Sequence, residues 1–272
     1  MTDGRALARA FLEQQRQLGG DPVILPDGAT SGTPGSRPGS VDPVASAALT
    51  PGASPGKTEG RSAQTDSALP PPGLSYDPPG GDLFSNDPVP QAISLEAIAQ
   101  LVAGCTKCRL CEDRRHTVPG EGAADARLVV VGEGPGRVED ETGRPFVGPA
   151  GELLTKILGA IELPRERVFI CNVVKCRPPE NRLPQFDEIA ACVPYLFRQI
   201  DIVKPKVILA MGGTAAQTLL NTKQSLGALR NLMHRFRGIP LIVTYHPAAL
   251  LRNPNWKKPT WDDVRIARRL IG

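Results

Sequence analysis

No apolar run in this chain is long enough to cross a bilayer. The longest, such as Val207-Ile-Leu-Ala-Met211, are the length of one strand. The opening residues Met1-Thr-Asp-Gly-Arg5 lack the apolar stretch of a secretory signal, so the expectation is a cytoplasmic protein with no membrane role. Aromatic residues make up only 4%, and between residues 27 and 90 they are Tyr76 and Phe84 alone. There is no Gly-Lys-Ser/Thr of a phosphate-binding loop. Gly132-Glu-Gly-Pro-Gly136 is interrupted by Pro135 and followed by Arg137, which departs from a dinucleotide fingerprint. Nucleotide hydrolysis and nicotinamide or flavin chemistry therefore have little to stand on.

Proline and glycine, by contrast, are abundant at 28 each. Residues 27–90 hold 12 Pro and 10 Gly, and a stretch with so little apolar surface cannot offset its chain entropy. Residues 27–92 are therefore expected to be a disordered linker. Ahead of it, Leu7, Phe11 and Leu18 stand at helical spacing, with Gly19-Gly20 as a stop. Residues 1–26 read as a short amphipathic helix, either docked on the main domain or offered to a repair or replication partner. Residues 93–272 are left as one compact, monomeric domain. That domain carries 26 basic and 18 acidic residues, a net +8, which suits a polyanion such as DNA.

Within the domain, buried-strand runs alternate with helical patterns. Strands are expected at 127–132, 168–174, 206–211 and 239–244. Helices are expected after Ser94, around Leu153–Ile161, around Ile189–Ile200, from Gly213 to Leu220 and over 257–271. This predicts an α/β fold with a mostly parallel sheet covered on both faces, whose ligand sits beyond the carboxyl ends of the strands. The chemistry-bearing motifs lie at those ends. After the first strand come Glu133, Gly134, Glu139, Asp140 and Gly143-Arg-Pro-Phe146-Val-Gly148. After the second comes Asn172-Val-Val-Lys175-Cys176-Arg177-Pro-Pro, where Asn is a poor strand residue that either caps the strand or reads a base edge. After the fourth comes His246-Pro-Ala-Ala-Leu250-Leu251-Arg252-Asn-Pro, apolar tips beside an arginine, as in wedges into nucleic-acid stacks.

Six cysteines without a secretion signal point to thiols or metal, not disulfides. Cys105 and Cys108 form a C-x2-C pair, while Cys176 and Cys192 are widely spaced, so an iron–sulfur cluster fits at least as well as zinc. Spacing alone leaves the quartet open, because Cys111 is close by and Cys171 and Cys192 read equally as buried cysteines.

Together these four motifs resemble the family 4 uracil-DNA glycosylases, the iron–sulfur type, from about Cys105 to the C-terminus. The resemblance implies a three-layer α/β/α sandwich with a four-stranded, mostly parallel sheet. It implies a [4Fe-4S] cluster held by Cys105, Cys108, Cys176 and Cys192. It also implies that Phe146 stacks on a flipped uracil, Asn172 reads its Watson–Crick edge, the backbone at Gly134 approaches the base, and His246 faces O2. Either Glu133 or Glu139 would orient the attacking water. Leu250, Leu251 and Arg252 would fill the gap in the duplex, while Lys175, Arg177 and Arg252 would hold phosphates. Ala248-Ala249 stand where many members have Ser-Tyr. The implied activity is monofunctional hydrolysis of uracil from DNA, opening base excision repair on nucleoid DNA. A non-catalytic uracil- or DNA-binding protein of the same fold is the competing expectation.

Overall fold

The computed structural model describes residues 69–79 and 86–272. The expected N-terminal helix over 1–26 lies outside the described residues. In chain order the elements are β1 (Pro72–Tyr76), α1 (Leu95–Ala103), α2 (Leu110–Asp113), β2 (Glu121–Gly122), β3 (Leu128–Gly132), α3 (Arg137–Thr142), α4 (Pro149–Ala160), β4 (Phe169–Asn172), α5 (Phe186–Val203), β5 (Val207–Met211), α6 (Gly213–Leu220), α7 (Leu226–Leu229), β6 (Met233–Phe236), β7 (Ile239–Thr244), α8 (Pro247–Arg252) and α9 (Lys257–Ile271). Ser94 caps α1 as expected: its Oγ accepts from the Ala97 N–H at 3.2 Å.

The four expected strands form the middle of the sheet in the order β7-β5-β3-β4, all parallel. Their residues alternate between two cores. Val129, Val131, Ile208 and Ala210 pack on one face with α1, α5 and α6. Leu128, Val130, Leu209 and Met211 pack on the other with α4 and α9. Period-two alternation in fully buried strands requires a helical layer on each side, which gives three layers.

The sheet has seven strands, not four. β2 adds antiparallel to β4, β6 antiparallel to β7, and β1 parallel to β6. β1 falls inside the stretch expected to be linker. It is held by the buried His234, whose Nδ1 accepts from the Leu74 N–H at 2.9 Å while Nε2 donates to the Leu229 carbonyl at 2.7 Å. Gly73 leaves room for that ring, since a Cβ there would lie 2.5 Å from it. Val89 and Ala92 also join the core, so the compact domain begins well before residue 93. The local signal of β1 is drowned by its proline neighbours, and only a partner 160 residues away gives it a place.

β3 is the first strand of the parallel set, with β4 on one side and β5 on the other. The crevice at its carboxyl end is the switch point where such sheets bind ligands. The loops carrying Glu133, Asn172, Gly212 and His246 all leave from that edge.

Candidate active site

The pocket is built around Gly132, the last residue of β3. A Cβ added there would lie 2.4 Å from Asn172 Oδ1 and 2.5 Å from Phe146 Cζ. The Asn172 amide and the Phe146 ring therefore converge on a point that only glycine leaves open. Asn172 is 1% exposed, and its Oδ1 is the buried side-chain oxygen without a hydrogen-bond partner among the described residues. A buried bare acceptor costs free energy unless a ligand completes it. Gly134 packs against Val174, whose methyl would lie 2.8 Å from an added Cβ, so glycine there serves the packing of the β4 loop.

Phe146 adopts left-handed backbone (φ 51°), a rare conformation for a bulky residue and one that must be held from outside. Arg165 supplies part of that hold by donating to the carbonyls of Phe146, at 2.8 Å, and of Pro145. Gly151 supplies more, because any Cβ on it would collide with the Phe146 carbonyl. The Phe146 ring lies 5.4 Å from the His246 ring, tilted by 34°.

The two candidate acids have different surroundings. Glu139 is buried, and its carboxylate accepts from the N–H groups of Val147 and Gly148 at 2.9 Å each and of Gly136 at 3.2 Å. The glycines of the motif thus house the protein's own carboxylate, and those amides are not free for a ligand. Asp140 is similarly engaged, accepting from the Arg115 N–H at 3.0 Å. Glu133 is half-buried and receives a side-chain bond from the Thr214 hydroxyl at 2.5 Å, which leaves it acceptor capacity. Of the pair, Glu139 is tied by backbone amides into the loop that carries Phe146, whereas Glu133 keeps acceptor capacity.

His246 closes the pocket. Its Nδ1 accepts from the Ala248 N–H at 3.2 Å, so the neutral ring carries its proton on Nε2. Burial pushes its pKa down to about 4, with the Arg252 cation acting in the same direction and Glu139 opposing. The ring is a neutral donor at physiological pH.

Two expected DNA contacts are placed elsewhere. Lys175 is 1% exposed; its Nζ donates to the Asn172 carbonyl at 2.8 Å and to Gln199 Oε1 at 2.6 Å, so no phosphate can reach it. Leu250 is 1% exposed and belongs to the interior, whereas Leu251 is 50% exposed and Arg252 is exposed beside it. The helical turn of α8 sends successive leucines in different directions, which the sequence Leu-Leu-Arg does not reveal. Arg177 is half-buried, with Nε donating to Asn181 at 2.8 Å.

Cys105, Cys108, Cys176 and Cys192 line one cavity together with Cys111, Arg114, Lys175 and Tyr195, while Cys171 lies apart in the sheet core. Donors point at sulfur, among them the Lys175 N–H at 3.2 Å from Cys192 Sγ and Arg114 Nη1 at 3.3 Å from Cys176 Sγ. Among the described residues, no three His, Cys, Asp or Glu side chains converge on a single-ion site. Cysteines ringing a cavity, with N–H groups aimed at their sulfurs, fit a multi-iron cluster. Arg114, Arg165 and Thr214 were not anticipated. Thr214 had a readable signal, since Gly212-Gly213-Thr214 opens a helix at the same sheet edge as the other motifs.

The uracil DNA glycosylase superfamily profile matches residues 119–266. The type-4 uracil-DNA glycosylase of Thermotoga maritima is 49% identical over 181 residues, covering 65% of this chain and 94% of that protein. The enzyme of the same name from Sulfurisphaera tokodaii is 46% identical over 186 residues, covering 65% and 84%. A type-5 uracil-DNA glycosylase of Pyrobaculum aerophilum is more distant, 29% identical over 150 residues, covering 49% and 66%. The matched span contains the whole switch-point crevice, from β3 to the start of α9, and the chain belongs to the uracil DNA glycosylase superfamily.

Proposed function

We propose that the chain is a monofunctional uracil-DNA glycosylase that draws uracil out of DNA and hydrolyses its N-glycosidic bond, leaving an abasic site for base excision repair. The observation that carries this is Asn172 Oδ1, buried and bare beside the Phe146 ring at a glycine wall. Uracil offers an N3–H to such an acceptor and an O4 to the amide N–H2, whereas cytosine offers an acceptor at N3 and a donor at C4 and is mismatched at both. Extraction is needed because the reacting C1′ is out of reach inside the stack.

Phe146 covers the face of the base. The neutral His246 Nε2–H faces O2, where negative charge grows as the bond to C1′ breaks. A neutral donor can stabilise that charge as it develops without already being a cation in the ground state. Glu133 stands toward the sugar side, where its carboxylate favours the developing positive charge and orients the water that attacks C1′. Leu251 is the wedge into the vacated stack, and Arg252 and Arg177 are the phosphate contacts. Lys175 and Leu250 are not included.

The cysteine cavity fits a [4Fe-4S] cluster held by Cys105, Cys108, Cys176 and Cys192, with Cys111 beside it. When bound, such a cluster supplies a four-thiolate cross-link with redox-active iron. These cysteines belong to the segment around α2, the loop after β4, and α5. The cross-link would therefore fix the loop that follows Asn172. Residues 1–26 are read as a partner-binding segment, and the enzyme as a monomer acting on nucleoid DNA. The +8 of residues 91–272 supports the reading of DNA as partner, and Leu7, Phe11 and Leu18 at helical spacing support that of residues 1–26.

The test is an oligonucleotide with one uracil, incubated with the protein and then treated with hot alkali. A break at uracil that needs the alkali, and is lost in Asn172→Ala, supports the proposal. Strand cleavage without alkali, or no uracil-dependent break from folded, iron-loaded protein, overturns it.

A further inference from the structure

The buried Lys175 has no part in the reaction as described, yet a buried ammonium needs a reason to exist. Among the described residues no ion pair joins it to a carboxylate; its Nζ bonds to neutral acceptors. Its backbone N–H donates to Cys192 Sγ at 3.2 Å, and it lines the cysteine cavity. Its Nζ reaches back three residues to the Asn172 carbonyl at 2.8 Å and across to Gln199 Oε1 at 2.6 Å. Gln199 cannot turn away, because its amide N–H2 donates to the Pro119 carbonyl at 2.7 Å. One residue therefore touches both sites: its side chain holds the peptide that carries the base-reading amide, and its backbone N–H meets a sulfur of the cysteine cavity.

We propose that Lys175 is a positioning residue that links the two sites, its ammonium serving as counterion to the thiolate-bound cluster and its bond to the Asn172 carbonyl setting the amide that reads uracil. This rests on the reading of Asn172 and of the cysteine quartet given above. A four-thiolate cluster carries net negative charge, and a buried cation beside it offsets the cost of burying both. Asn172 Oδ1 has no partner of its own, so its position depends on its backbone, and Lys175 holds the carbonyl of that residue. Displacements of about 1 Å in such a site cost up to about a hundredfold.

The experiment uses the full chain with its cluster and three variants: Lys175→Met, Lys175→Arg and Gln199→Glu. Three quantities are read. They are iron per chain, the cluster's reduction potential, and the affinity for two single-stranded oligonucleotides, one with a 2′-fluorinated, uncleavable deoxyuridine and one with a tetrahydrofuran abasic analogue. Lys175→Met is expected to lower the potential and to weaken binding of the uracil oligonucleotide by roughly tenfold, with abasic binding unchanged. If Lys175→Met fails to hold iron while Lys175→Arg holds it, the counterion role is supported. Gln199→Glu neutralises the ammonium without removing it and is expected to lower the potential as well. An iron-loaded Lys175→Met chain with wild-type potential and wild-type uracil preference overturns the proposal, as does an unchanged potential in Gln199→Glu. Equal binding of the two oligonucleotides by the wild-type chain would instead sink the uracil reading, and it is visible before any variant is made.

Discussion

The proposed base pocket and the cysteine cavity share one short stretch of chain, Asn172 to Cys176, and are built by opposite rules. In the pocket an acceptor is left bare, a histidine is kept neutral and the wall is a glycine. In the cavity donors are brought up to sulfur and a lysine is buried alongside. A site for a neutral base that comes and goes must leave its complementary groups unmatched until the base arrives. A site for a permanent anionic group does best with its donors already in place. The strand end between them serves both.

The comparison breaks most sharply at the two glutamates. Glu133→Gln is expected to lower kcat/KM by about 10²–10⁴-fold with an unchanged melting temperature. Glu139→Gln replaces a carboxylate bound to three N–H groups, so it should lower the melting temperature along with activity. Single-turnover kinetics paired with thermal unfolding separates the two, and a Glu139→Gln chain of wild-type stability would undo the assignment.

On the cavity side, Cys192→Ala should lose iron and Cys111→Ala should keep it, by iron assay and visible absorbance. Loss in both would move Cys111 into the ligand set.

The rim sharpens the contrast between buried and exposed groups. Leu250→Ala should destabilise the fold by about 2–5 kcal/mol, whereas Leu251→Ala should leave stability alone and reduce excision from duplex more than from single strands. Chain truncation tests the domain edge in the same way. Removal of residues 1–68 should leave excision intact, while removal of residues 1–90 takes away β1 and its bond to His234 and should lower the melting temperature.

The smallest expected effect is with pH. His246 has its pKa near 4, so the acid limb of kcat/KM should show no loss at its ordinary value of 6.5 and should fall only toward pH 4. The sign for stability follows. The unfolded chain takes up that proton near pH 6.5 and the folded chain only near 4, so the contribution of His246 is fully present above 6.5 and is lost between those values as pH falls. A kinetic pKa near 6.5 that disappears in His246→Asn would contradict the neutral-donor role.

Much of this was legible in the chain. Val129–Val131, Phe169–Cys171, Val207–Met211 and Leu241–Val243 are continuous apolar runs, and a run buried on both faces can only be the centre of a helix-covered parallel sheet. The motifs at the ends of those runs had to gather at one edge, because parallel strands all point the same way. Phe146, Asn172 and His246 lie in those motifs, and their roles came from the family resemblance. β1 and β2 could not be read in the same way, because short edge strands take their conformation from partners far along the chain, and the four-residue β6 carries no continuous apolar run. Nor could the roles of near-identical neighbours be separated, such as Glu133 from Glu139 or Leu250 from Leu251.

The sequence by itself therefore determined the layer order, the edge that carries the chemistry and the kinds of side chain found there. Tertiary structure alone decided which carboxylate is held by backbone amides and which by the Thr214 hydroxyl, which leucine is buried, and that Lys175 points inward to the Asn172 carbonyl instead of outward to phosphate. The physical reason is range. Periodicity and apolar runs act over a few residues and are written locally, whereas the partners of a polar side chain, and so its role, come from parts of the chain that only the fold brings within about 3 Å.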